Sequence, residues 1–140
     1  AGHDAKKSEI HGMSQRGGSV TSDVRFGTQV FSPMVPDGEA DFLVVLDETQ
    51  TEVARPCLRE GGVLIAPELL LEDGDDIEDL DHDDDTPLCR RNFNIALLGA
   101  LSKHLEIPES FWLDAIFANL PAKVHEENKE VFQLGRNAVA

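Results

Sequence analysis

The chain has 140 residues, 41% hydrophobic and 28% charged, which fits one domain of ordinary globular composition with a buried core. Its 27 acidic residues against 12 Lys and Arg give a net charge of −15, which repels phosphate backbones and anionic lipid and so argues against nucleic-acid and membrane-surface partners. No run of about 18 apolar residues is present to span a bilayer, and Lys6 and Lys7 are not followed by the apolar stretch of a secretory signal.

In chain order, residues 5–10 read as a short strand that leads into a loop rich in glycine and small polar residues. Gly12, Gly17 and Gly18 can take positive φ and let a ligand or a second backbone come close, while Arg16 offers a planar fork suited to phosphate or carboxylate. Ser14, Gln15, Arg16, Gly17 and Gly18 are therefore the candidate site, a loop for an anion or another subunit. The blander reading is a turn whose Arg16 pairs with a nearby carboxylate. From Ser19 to Phe26 the residues alternate, with Val20, Ser22, Val24 and Phe26 on one side, as in a half-buried strand. Residues 29–32 lie beyond Gly27 and Thr28 and are expected to pair with that strand as a hairpin or bent edge.

Pro33, Pro36, Asp37 and Gly38 mark a loop, and the apolar run 42–46 has the pattern of a strand buried on both faces of a parallel sheet. Residues 47–60 read as a helix, capped by Asp47 or Thr49 and kinked or ended by Pro56. Gly61 and Gly62 then break the chain before a buried strand at 63–66. Strands alternating with helices imply an α/β fold. Residues 72–85 hold ten carboxylates in fourteen positions, an exposed acidic loop. Calcium is the sharper reading there, but no register supplies the EF-hand ligands, glycine and terminal Glu together. His82 alone among these acids is not a transition-metal signature.

The last third is helical. Phe93, Leu97, Leu101 and Leu105 recur every four residues as a stripe that should face the core. A helix at 109–119 follows Pro108 and stops before Pro121; its Phe111, Trp112, Ile116 and Phe117 are read as core rather than as a docking face. A last helix at 122–139 carries Val124, Val131, Phe132 and Leu134, with Gly135 available for a close helix approach. The expected class is α/β: a parallel or mixed sheet with flanking helices in one domain, residues 1–140.

Chemistry within the chain is sparse. Cys57 and Cys89 are the only cysteines, too few for a four-thiolate cluster or a zinc ribbon, and are expected as free thiols in a reducing cytoplasm. His11 and Ser14 share one segment but lack the Gly-x-Ser-x-Gly elbow of a hydrolase; His3, His104 and His125 are scattered. Glu9 stands where a ribose-binding acid would end a strand, yet only eight residues precede it, too few for a dinucleotide fingerprint.

The residue order His11-Gly12-Met13-Ser14-Gln15-Arg16-Gly17-Gly18-Ser19-Val20, with Val24-Arg25-Phe26-Gly27, resembles the gamma-type domain of 2-oxoacid:ferredoxin oxidoreductases, nearest the beta subunit of the indolepyruvate type. Ser32-Pro33, Gly38-Glu39-Ala40-Asp41, residues 61–65, residues 94–101 and Asn128, Phe132 and Gly135 carry the resemblance on. Nothing corresponds to the strand and Gly-x-Gly-Gly-type loop with which that family opens, and the acidic segment is shorter than expected of relatives. The resemblance implies an accessory subunit, without catalytic residues or metal of its own, of an enzyme that converts a 2-oxoacid and coenzyme A to acyl-CoA and carbon dioxide and passes electrons to ferredoxin. Thiamine diphosphate and iron–sulfur clusters are then expected on a partner subunit. By the same resemblance, Arg16 with Gly17 and Gly18 would face coenzyme A, another anion or that partner. Two other classes stand beside it: a stand-alone acidic interaction domain without activity, and a small-ligand enzyme using the glycine segment.

Overall fold

The computed structural model describes residues 2–14, 17–71, 88 and 92–139, with the side chains of 10–14, 17–20 and 48 outside the description. It shows an α/β chain with two small sheets and a helical C-terminal region. The first sheet is an antiparallel ribbon of β1 (Asp4–Ser14) and β2 (Gly17–Gly27), in register from Asp4 opposite Gly27 to Ser14 opposite Gly17. The second pairs β3 (Ala40–Val44) in parallel with β4 (Leu58–Ile65). The acidic segment 72–85, with His82, and Cys89 lie outside the described residues.

The ribbon corrects two expectations. Residues 17–27 pair with what precedes them, not with 29–32, and Gly12, Gly17 and Gly18 sit within the ladder rather than in a long loop. Glycine and serine are poor residues for a packed strand, but most of this ribbon's described side chains are exposed.

Between β3 and β4 the expected helix at 47–60 shrinks to α1 (Thr51–Ala54), flanked by 3-10 turns at Glu48–Gln50 and Arg55–Cys57. Asp47 caps the first 3-10 turn rather than α1, which begins after Gln50 without a side-chain cap: the Asp47 Oδ1 accepts from the Thr49 N–H at 2.9 Å and the Thr49 hydroxyl at 2.7 Å. Pro56, without an N–H, is followed at once by β4. Gly61 and Gly62 do not break the chain. They lie inside β4, where Gly61 has φ +80°, and the register moves five residues along β4 for two along β3. This is a bulge, spanned by an ion pair from Arg59 Nε to Asp41 Oδ1 at 2.9 Å.

The core lies between the parallel pair and two helices, α2 (Phe93–Ser102) and α4 (His125–Asn137), with α3 (Glu109–Asn119) between them in sequence. Ile65, Leu88, Phe93, Ala96, Leu97, Ala100 and Val131 form its centre. The buried apolar side chains of α2 follow spacings of three and four, Phe93, Ala96, Leu97 and Ala100, with Gly99 and Ser102 buried beside them. A strict four-residue stripe slips about 40° per step at 3.6 residues per turn, so Leu101 is only half-buried and Leu105 falls past the helix end. α2 and α4 cross where side chains are absent: a Cβ on Gly135 would fall on the Ala96 carbonyl, and one on Gly99 on the Phe132 carbonyl. On α3, Ile116 is buried, Trp112 and Phe117 are half-buried and Phe111 is exposed, so only part of the expected core surface is core.

Candidate functional site

The expected site sits at the far end of the ribbon. The ladder closes on the Ser14–Gly17 pair with Met13 opposite Gly18 just below; Gln15 and Arg16 lie outside the described residues. Three of the five candidate positions, Ser14, Gly17 and Gly18, are thus brought together by cross-strand pairing. β1 also carries His11, three positions before Ser14. Glu9 lies within this antiparallel ribbon rather than at the end of a parallel strand, and an ion pair joins it to Lys7 at 3.2 Å.

Residues directly opposite in the ladder share a face. One face therefore holds Asp4, Lys6, Ser8, Asp23, Arg25 and Gly27, and the other Ala5, Lys7, Glu9, Ser22, Val24 and Phe26. The first face is tied to the chain that follows β2. Asp4 Oδ2 accepts from the Val30 N–H at 2.8 Å and Asp23 Oδ2 from the Val35 N–H at 3.1 Å. Arg25 Nη1 donates to the carbonyls of Ser32 at 3.3 Å and Met34 at 3.1 Å. Residues 30–35 form a strap held by charged side chains on backbone groups. Sequence reasoning missed it, because those backbone partners leave no mark in residue type. Among the described residues the opposite face is open: Val24 is 58% and Phe26 43% exposed, with the His3 ring edge-on to Phe26 at 5.6 Å.

Elsewhere, titratable groups serve structure. His125 stacks on Phe117 at 4.5 Å, with Nε2 2.8 Å from the Leu120 carbonyl, and His104 tilts against Phe42. Arg136 donates to the buried Ser102 hydroxyl at 2.7 Å and faces Glu109, whose other oxygen accepts from Gln133. Cys57 is free, with Sγ 3.9 Å from Asp37 Oδ1; partial burial first, then the charges of Asp37 and Asp23, push its thiol up. Hydrogen bonds from Thr49 hold the Asp47 carboxyl below the usual carboxylate range. Among the described residues no three His, Cys, Asp or Glu converge as metal ligands. No helix among the described residues is long and apolar enough to cross a membrane.

A family model described as Pyruvate ferredoxin/flavodoxin oxidoreductase matches residues 1–138. The chain is 41% identical over 64 residues to indolepyruvate oxidoreductase subunit IorB of Thermococcus kodakarensis, covering 46% of this chain and 32% of that protein. The IorB subunit of Methanothermobacter thermautotrophicus is 43% identical over 58 residues, 41% of this chain and 29% of that one. The matched stretch thus spans about a third of the curated relatives' length. In fold, the chain is similar to the crystal structure of a keto/oxoacid ferredoxin oxidoreductase gamma subunit from Geobacter sulfurreducens. The TM-score is 0.72 at 24% identity, covering 98% of this chain and 80% of that one.

Proposed function

The chain belongs to the pyruvate ferredoxin/flavodoxin oxidoreductase family, and we propose that it acts there as a gamma-type accessory subunit of a 2-oxoacid:ferredoxin oxidoreductase. The match over residues 1–138 carries this reading. The partial likeness to IorB subunits favours indolepyruvate as the 2-oxoacid of the whole complex. In this reading a partner subunit holds thiamine diphosphate, which stabilises the carbanion left by decarboxylation, and the iron–sulfur clusters that lead electrons to ferredoxin. This chain supports that coenzyme A-dependent chemistry from the cytoplasm without catalytic residues of its own. The contribution proposed for Ser14, Gln15, Arg16, Gly17 and Gly18 is to meet coenzyme A, another anion or the partner at the ribbon's end. The ladder that pairs Ser14 with Gly17 supports it, because it brings the flanks of Arg16 together at one end of a long, largely exposed element.

Arg16→Ala tests this reading on two quantities. The melting of the isolated chain should barely change, while assembly or coenzyme A dependence of the reconstituted enzyme should weaken roughly ten- to a hundred-fold, as expected for a lost charge-assisted hydrogen bond. Arg16→Lys should restore only part, since a point charge does not reproduce the planar fork. Destabilisation of the isolated chain with no separate effect on the complex would remove Arg16 from the site. The net charge of −15 favours one rival, a stand-alone acidic interaction domain; a chain that confers nothing on the thiamine-diphosphate subunit would establish it.

A further inference from the structure

We infer that the β1–β2 ribbon, with its strap, inserts into an apolar groove on a different protein subunit whose groove walls are neutral or basic. This rests on the accessory-subunit reading and says which surface makes the contact. Three observations carry it.

The first is where the apolar side chains lie. The open face of the ribbon presents Val24 and Phe26, 58% and 43% exposed, while the strap bound to the other face presents Phe31 and Met34, 85% and 58% exposed. Apolar surface on both sides of one narrow element calls for a groove that wraps it, not a flat patch that covers one side.

The second is area. Eleven paired residues at about 3.4 Å each, two strands wide at about 4.8 Å, offer only about 360 Å² per face. A stable interface needs about 800 Å² per partner, so two copies laid face to face by their ribbons would fall well short. Enclosing both sides roughly doubles the area and reaches that range.

The third is charge. Residues 1–34 hold Lys6, Lys7, Arg16 and Arg25 against Asp4, Glu9 and Asp23, a net of +1, whereas the rest of the chain has eight basic residues against twenty-four acidic ones, a net of −16. The ribbon and strap are the part of the chain that enters an apolar groove without bringing a large net charge. A second copy would bring another body of net −16 close to the first, at a cost in like-charge repulsion. A partner that is basic around its groove is attracted by the same charge, and a neutral one is not repelled by it. The ribbon's two outer edges, unpaired among the described residues, add backbone donors and acceptors for the groove walls.

The test co-expresses the full chain with the thiamine-diphosphate subunit of the same complex and compares wild type, a Val24→Ser/Phe26→Ser double variant and Val53→Ser. Val53 is 72% exposed on α1, in neither the ribbon nor the strap, and serves as the control. The double variant should melt like wild type but bind the subunit roughly thirty-fold or more weakly, as for truncated interface anchors, with Val53→Ser unchanged. In wild type, hydrogen exchange of the amides in residues 21–27 should slow at least about ten-fold on complex formation. This second measurement decides alone should the double variant misfold. A complex that forms with full affinity in the double variant and leaves the ribbon amides unprotected overturns the ribbon interface and leaves the accessory reading standing. Wild type that forms no complex overturns both. A wild-type homodimer that the double variant dissociates overturns the heterologous partner.

Discussion

Gly99 and Gly135 set how closely α2 and α4 cross. Each lies against the backbone of the other helix, where a methyl group has nowhere to go, since carbonyls in a helix cannot shift without breaking hydrogen bonds. Gly135→Ala should therefore lower stability by about 3 kcal/mol, a fall in melting temperature of about 10 °C, although alanine is the better helix former. A change under about 1 kcal/mol would mean that the helices slide apart without loss. Cys57 offers a second residue-scale test. Its folded pKa is raised, so the protonated thiol favours the fold below the unfolded thiol's range of about 8.5, and that contribution is lost as pH rises through the folded value. In a Cys89→Ser background, alkylation of Cys57 at pH 8 should be slower than that of a free thiol, with its pH midpoint shifted upward. Asp37→Asn should bring the midpoint down by removing the facing charge; an unchanged midpoint would leave burial and the Asp23 charge as the cause.

At the scale of elements, the ribbon and strap form one unit because three charged side chains reach back to backbone groups of residues 30–35. Their parity is the reason: Asp4, Asp23 and Arg25 all belong to one face of the ladder, so one strap can satisfy them all. Asp23→Ala should release the Val35 amide, and its exchange should quicken about five-fold for about 1 kcal/mol of lost protection, with the helical core unaffected. Exchange that quickens equally in α2 and α4 would show instead that the strap holds the whole fold. The same parity leaves Val24 and Phe26 on the open face, so the strap's attachment and the exposed apolar surface have one origin.

Over the whole molecule, charge dominates. With −15 on 140 residues, mutual repulsion works against the compact state, and added salt screens it. Raising sodium chloride from about 10 mM to about 150 mM shortens the Debye length from about 30 Å to about 8 Å. It should raise the melting temperature of the isolated chain by a few degrees. A fall would mean that ion pairs such as Arg59–Asp41 outweigh the repulsion. Parts of the architecture at this scale were legible beforehand. The apolar run at 42–46 foretold a strand in a parallel pair but not its burial: β3 is Ala40–Val44, and Val44 and Leu46 are 36% and 56% exposed rather than covered on both faces; the helix at 109–119 was marked by prolines on either side. The ribbon was not legible, because an exposed hairpin asks little hydrophobicity of its residues, and its glycines and serines resembled a loop.

Composition, charge, residue order and helical periodicity thus determined by themselves the α/β class, the helical C-terminal region, the acidic character and the family resemblance, since each is a property of residue type and local spacing. Tertiary structure alone decided that β2 pairs backward with β1, that Gly61 makes a bulge and that Asp4, Asp23 and Arg25 bind a strap. It also decided that Gly99 and Gly135 carry a helix crossing. These depend on which backbone groups meet across long separations in the chain, and a backbone group looks the same in every residue.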